Sequence, residues 1–276
     1  MPELPNSSLQ PLGTKETLWG YLAQLWARRE FAVALPANDL RAQNMDTVLG
    51  QLWHILNPAA LVAVYWLVFG VLLKTDRGLD NFLGFLVIGV LVFQLTQRVV
   101  QDGAVSILRN EELIRSIRFP RALLPISSLI GQTIAFGPAL LVMLVTVMLT
   151  GEAPTLRWFV FPLVLVAQAG FNVGSGLVAA RLGASLRDLQ QILPHLFRII
   201  FYMSGVLFSV DRVISNETVV ALMALNPIYS FVTASRWALL GTSAGVEIWA
   251  SVIVWSVVTP IVGLVYFRAR EFRYGA

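Results

Sequence analysis

The stretch I-L-R-N-E-E-L-I-R-S-I-R-F-P-R-A-L-L-P, Ile107 to Pro125, is the most charge-dense segment between two long apolar runs. Asn110 stands in a helix-capping position, with Glu111 and Glu112 in the first turn, where the free N–H groups carry partial positive charge. Leu113, Ile114 and Ile117 fall at i, i+1 and i+4 and make one apolar face, while Arg115 and Arg118 point elsewhere. Phe119 precedes Pro120, which stops the helix there. The expectation is a basic amphipathic helix of two to three turns, lying flat on a membrane surface where a soluble partner grips it. The plainer alternative is a loop anchor.

What flanks this stretch fixes the class. Of 276 residues, 57% are apolar and 13% charged, about half the charged fraction of a soluble domain. Mean hydropathy is +0.71, so the chain reads as an all-α integral membrane protein. The net charge of +4 belongs to loops facing anionic lipid rather than to nucleic acid, because the arginines cluster between apolar runs. The absence of cysteine excludes thiol catalysis, disulfides and Cys-based zinc sites. Glu3, Asn6, Lys15 and Glu16 interrupt any signal-type apolar core near the start.

Six runs approach the roughly 20 apolar residues that a spanning helix needs. They are Ile55–Leu73, Phe82–Gln97, Ala122–Leu149, Trp158–Ala180, Leu189–Val210 and Val246–Phe267. Residues 1–54 form a cytoplasmic or interfacial segment and 55–276 a single six-span domain. Lys15 to Leu35 reads as an interfacial amphipathic helix, broken by Pro36 and Asn38, and Asp39–Asn57 as a second amphipathic approach to the bilayer. Gly131, Gly137 and Pro138 in the third run predict tilt or a kink. Segments 1–54, 98–121, 181–188 and 268–276 hold four, five, two and three basic residues, fourteen against five in the alternate loops. Both termini and the Asn110–Phe119 helix therefore fall on the cytoplasmic side. Glu217–Leu225 and Ile228–Leu240 are too short to cross and are split by Asn226-Pro227, which predicts an outer re-entrant pair or two surface-lying helices.

The chemistry of catalysis is missing from the sequence. There is no G-x-x-x-x-G-K-[ST], so ATP, if it is used, is bound with its Mg on another chain. His54 and His195 are far apart and in no H-E-x-x-H arrangement, there is no G-x-S-x-G, and no metal site is expected. Acids fall in loops or at span ends, which argues against a proton-coupled carrier. His195 and Arg198, one turn apart in the fifth run, suit either snorkelling or an anionic headgroup, with Arg181 and Arg187 nearby. Phe197, Phe201 and Phe208 share a face at i, i+4 and i+11, as do Tyr65 and Phe69 at i and i+4. Such rings either line a path for sugar faces or serve ordinary packing. Gly170 and Gly174 form a GxxxG for close helix packing, within a chain or between two.

Three motifs in order carry a resemblance: Asp39-Leu40-Arg41 followed by V-L-G-Q-L-W-H-I-L-N-P ending at Pro58, then R-F-P-R-A-L-L-P from Arg118 to Pro125, then Arg187-Asp188-Leu189. Over nearly its whole length the chain resembles permease subunits of ATP-binding-cassette polysaccharide exporters, the family of O-antigen, teichoic acid and cell-wall galactan permeases. One departure is Arg41-Ala42-Gln43-Asn44, where the family carries a basic residue followed by Tyr. The resemblance implies a homodimer with two nucleotide-binding subunits in a bacterial cytoplasmic membrane. It makes Asn110, Glu111, Glu112, Leu113, Ile114, Arg115, Ile117, Arg118 and Phe119 the coupling helix. It further implies a glycan on a polyprenyl diphosphate, the diphosphate meeting Arg41, Arg181, Arg187, His195 and Arg198 and the sugars passing Tyr65, Phe69, Phe197, Phe201 and Phe208. A drug or lipid exporter is the competing cargo class.

Overall fold

A helical bundle carries the whole architecture in this computed structural model, which describes residues 17–42, 52–72, 81–117, 119–210, 216 and 222–271; no strand occurs among them. The elements are α1 (Leu18–Ala27), α2 (Arg29–Ala42), α3 (Trp53–Tyr65), α4 (Phe82–Arg109), α5 (Glu111–Ser116) and α6 (Leu123–Leu149). They continue as α7 (Phe161–Ser185), α8 (Leu189–Met203), α9 (Pro227–Leu240) and α10 (Val246–Arg268). Among the described residues four segments are long and apolar enough to cross a membrane: α4, α6, Leu156–Ser185 containing α7, and α10. The expected first and fifth runs are different. The first is α3, 13 residues, prolonged by a seven-residue π-helical stretch Trp66–Leu72. The fifth, α8, has 15 residues and stops at Met203 instead of reaching Val210, because Gly205 takes a left-handed φ of 59° that a helix cannot continue through.

α4 runs 12 residues past the expected Gln97. Residues 98–109 contain no proline, and Val99, Val100, Ala104 and Ile107 are buried, so packing carries the helix through what reads as a polar loop. At the start of the chain the break comes at Arg28, between α1 and α2, and not at Pro36. Pro36 sits inside α2. It costs the helix one backbone hydrogen bond, but the ring is buried against Gly131 of α6, where a Cβ would lie 2.8 Å from Pro36 Cβ. The expected Asp39–Asn57 element is divided: 39–42 are the last turn of α2, Trp53–Asn57 begin α3, and 43–51 between them lie outside the described residues, as do 217–221 of the first re-entrant limb. The second limb is α9, started by Asn226, whose side-chain oxygen accepts from the Ile228 and Tyr229 N–H groups, and ended by Gly241 at φ 69°.

Glycines let α7 act as the shared wall of the bundle. Gly170 and Gly174 face α10, where an added Cβ would come 2.8 Å from the Ser256 carbonyl oxygen and 2.1 Å from Thr259 backbone atoms respectively, and Gly183 faces the Ala104 carbonyl of α4. The GxxxG is therefore used within one chain. Gln168 adds a polar tie, its amide donating to the Val92 carbonyl and the Thr96 hydroxyl of α4, each at 2.9 Å. A main core fills the space among α4, α6, α7 and α9, and a second core gathers Tyr21, Ile107, Ile114, Ala122, Leu124, Leu177, Ala180 and Phe267. That second core brings α1, α5, the start of α6 and the end of α10 to one end of the bundle. At the other end Asn81, which caps α4, donates to Thr150 at 2.8 Å and to Glu152 at 3.3 Å.

Candidate functional site

The chain reverses between α4 and α6 through Asn110, α5 and Pro120. Asn110 does not cap α5 with its side chain: its amide donates back to the Ser106 carbonyl of α4 at 2.8 Å, and only its backbone carbonyl accepts from Ile114 N–H, at 3.0 Å. Glu111 and Glu112 occupy the first turn as expected. The helix is shorter than expected, six residues, and ends at Ser116, whose hydroxyl donates to the Leu113 carbonyl at 3.1 Å. Ile117 is extended, so the chain leaves the helix three residues ahead of Pro120.

That early exit splits the expected apolar face. Ile114 is 8% exposed in the second core with Leu113 packed beside it, whereas Ile117, swung round by its extended backbone, is 45% exposed. Glu112, Arg115 and Ser116 are exposed too, giving a mixed outward patch with one aliphatic residue at its edge. Glu111 and Arg115 stand 3.7 Å apart on the open surface, a pair worth about half a kcal/mol. Phe119 turns inward, its ring 5.3 Å from that of Phe31 on α2. Arg118 lies outside the described residues.

α8 holds to the bundle along one line and leaves the rest open. Phe197 is buried, its ring 6.0 Å from Phe93 of α4, and Phe201 lies 5.0 Å from the same ring. Since α8 ends at Met203, Phe208 does not share their helical face, and Phe197 is a packing residue toward α4. Tyr65 and Phe69 stack at 6.0 Å, and Phe69 continues to Phe82 and Phe85 as an aromatic row. On the open side of α8, His195 and Arg198 are exposed, and Gln191 and Tyr202 extend them at i−4 and i+4 into one polar stripe.

Residues 34–240, three quarters of the chain, match the family model described as ABC-2 type transporter. The chain belongs to this ABC-2 membrane family. Among its relatives, an O-antigen export system permease protein RfbA of Myxococcus xanthus is 30% identical over 211 residues, covering 76% of this chain and 80% of that protein. A protein of the same name from Klebsiella pneumoniae is 23% identical over 256 residues, 92% of this chain and 95% of the relative. The polysialic acid transport protein KpsM of Escherichia coli is 23% identical over 249 residues, 86% and 92%.

In this ABC-2 chain the cationic residues singled out from the sequence are not gathered at one point. Arg181 is tied to α10, its guanidinium 3.7 Å from the Tyr266 ring centroid and donating to the Tyr266 carbonyl. Arg187, on the turn before α8, is exposed. The side chain of Arg41, on the last turn of α2, lies outside the described residues. Sequence reasoning did not single out Gln191 and Tyr202, although their spacing of four from His195 and Arg198 was a readable signal. It also missed Arg236, 3% exposed, which donates to the carbonyls of Phe85 at 3.1 Å, Gly205 at 3.0 Å and Val206 at 2.6 Å. No local pattern marks an arginine whose partners lie 30 to 151 residues away.

Proposed function

We propose that this chain is the membrane half of an ATP-driven exporter that moves a lipid-linked polysaccharide out of a bacterial cytoplasm. The observation that carries the reading is α5: its inner side is fixed in the second core while Glu112, Arg115, Ser116 and Ile117 are exposed on its outward side. A short rod held on one side and open on the other is suited to receive a push from a separate protein. With no phosphate-binding loop in the sequence, ATP and Mg belong to two copies of a nucleotide-binding partner, docked on a homodimer of this chain. The names of the O-antigen export and polysialic acid transport relatives favour a glycan cargo over a drug.

In this reading α3 with its π-helical continuation, α4, α6, α7, α8 and α10 are six spans. α9 is the inner limb of an outer re-entrant pair. Both chain ends lie in the cytoplasm, in keeping with α1, α5 and the end of α10 sharing one end of the bundle and with the count of basic residues. The diphosphate of a polyprenyl carrier meets Arg41, Arg187, His195 and Arg198 in turn along the entrance, whereas Arg181 is engaged with Tyr266 of α10. Sugars then slide past Tyr202, Tyr65, Phe69 and Phe201, rings that offer flat contact without tight hold. Cell-wall galactan is the candidate cargo. Purified chain with its ATPase should hydrolyse ATP faster when offered a polyprenyl-diphosphate glycan; acceleration by small hydrophobic drugs alone would assign the transporter to a different cargo.

A further inference from the structure

α6 starts without a cap of its own. Its N-terminal sequence, Phe119-Pro-Arg-Ala-Leu-Leu124, offers no Ser, Thr, Asp or Asn, and Ala122 at the cap position makes no side-chain hydrogen bond. The open N–H groups are satisfied from far away. Arg121 N–H donates to Glu271 Oε1 at 2.7 Å, across 150 residues, and Ala122 N–H donates to the Tyr21 hydroxyl at 3.4 Å, across 101. The same Tyr21 hydroxyl donates to Glu271 Oε1 at 2.8 Å, and the Arg121 guanidinium donates to the Glu271 carbonyl. Arg268 completes the cluster, 4.5 Å from the centroid of the Tyr21 ring.

Three remote elements thus meet at one carboxylate oxygen. The oxygen sits at the partially positive start of α6, where a carboxylate is the favoured group. Only Ile117 to Pro120 separate it from α5, and that linker is extended at Ile117 and pinned at Phe119 by Phe31. On its other side α1 presents Trp19 and Trp26, 82% and 72% exposed, as a face for the lipid headgroups.

We propose that Glu271 is a positioning residue of the coupling apparatus: with Tyr21 it locks the interfacial helix, the exit of α5 and the end of α10 into a unit that moves as one body when α5 is pushed. The proposal rests on the exporter reading for the origin of the push, but not for the rigidity of the unit. Burial raises the Glu271 carboxyl above the ordinary range, opposed by the Arg121 N–H, the Tyr21 hydroxyl and the charges of Arg121 and Arg268, as expected for a group held inside a structure rather than at its surface.

The chain has no cysteine, so Leu18→Cys and Ala269→Cys, both exposed and clear of the outward face of α5, give a clean pair for spin labels on α1 and the end of α10. In the full chain with its ATPase, the wild-type background should give one narrow distance distribution that keeps its width with and without ATP. Glu271→Ala should broaden it and lower glycan moved per ATP about tenfold, while the ATPase still co-purifies. Glu271→Gln keeps an acceptor at Oε1 and should restore most of both. Tyr21→Phe, which keeps the ring, should shift both in the direction of Glu271→Ala and serves where that variant folds poorly. An unchanged narrow distribution together with unchanged transport per ATP in Glu271→Ala and Tyr21→Phe would overturn the proposal. Failure of the wild-type chain to bind any ATPase would instead remove the exporter reading, and the width measured on the chain alone would still decide the rigidity.

Discussion

Gly174→Ala is the sharpest test of how the bundle is built. A Cβ at this position would lie 2.1 Å from the Thr259 carbonyl carbon and oxygen and 2.5 Å from Pro260 N, all backbone atoms of α10 with no rotamer to give way. To reach an ordinary contact, α7 and α10 must part by about 1 Å along their shared seam. Overpacking of this kind costs about 1–3 kcal/mol where side chains can yield. Here backbone must move, and the separation also strips dispersion contacts from Gly170 against Ser256 and Gly263 against Gly174, so about 3 kcal/mol or more is expected. Gly137→Ala on α6 is the internal control: nothing lies within 4 Å of its Cβ, and replacing a mid-helix glycine should stabilise by about 0.5–1 kcal/mol. Reversible unfolding in mixed micelles would measure both variants. If Gly174→Ala proves as stable as Gly137→Ala, α7 and α10 do not meet at Gly174.

Removing the buried guanidinium with Arg236→Met takes the side-chain donor from the loop carbonyls of Gly205 and Val206, at a cost of about 1–3 kcal/mol each, and the second donor from the helical carbonyl of Phe85, so the variant should unfold far more readily than wild type in the same micelle assay. Phe93→Ala should loosen α8, since the ring is the contact for both Phe197 and Phe201, and a probe on Tyr202→Cys should then report faster motion with the rest of the bundle intact. For Glu271, burial holds the folded pKa above the unfolded one, so the folded state binds the proton more tightly. The stability this provides is fully present below the unfolded carboxylate range and is lost as pH rises through the folded value. Stability compared between wild type and Glu271→Gln should therefore shift against wild type across that window; a difference flat with pH would mean the carboxyl is not buried.

Long apolar runs were legible because length and composition alone specify them: α10 begins at the expected Val246 and ends one residue past the expected Phe267, and α6 begins one residue after the expected Ala122. Local rules failed where a distant contact outweighs them. Pro36 reads as a break, yet Gly131 opposite makes room for it inside α2, a compensation that no window of α2 contains. Asn110 reads as a cap for α5, but the carbonyl of Ser106 one turn behind competes for its side chain. The α5 face was misread in part because a period of 3.6 was extended past Ser116, where the chain is already extended. The clasp at Glu271 had only one trace in the sequence, the missing cap at the start of α6, and an absent residue does not name its substitute.

The central claim is that force from a separate ATPase arrives at the outward face of α5. Its direct measurement is the affinity of the purified ATPase for this chain carrying Ile117→Asp with Arg115→Glu, set beside Ile114→Asp. The account predicts that the first variant unfolds at the wild-type temperature but binds at least about tenfold more weakly, as loss of an interface anchor does, while Ile114→Asp is destabilised by its buried charge. Wild-type affinity in a well-folded Ile117→Asp, Arg115→Glu chain would contradict it.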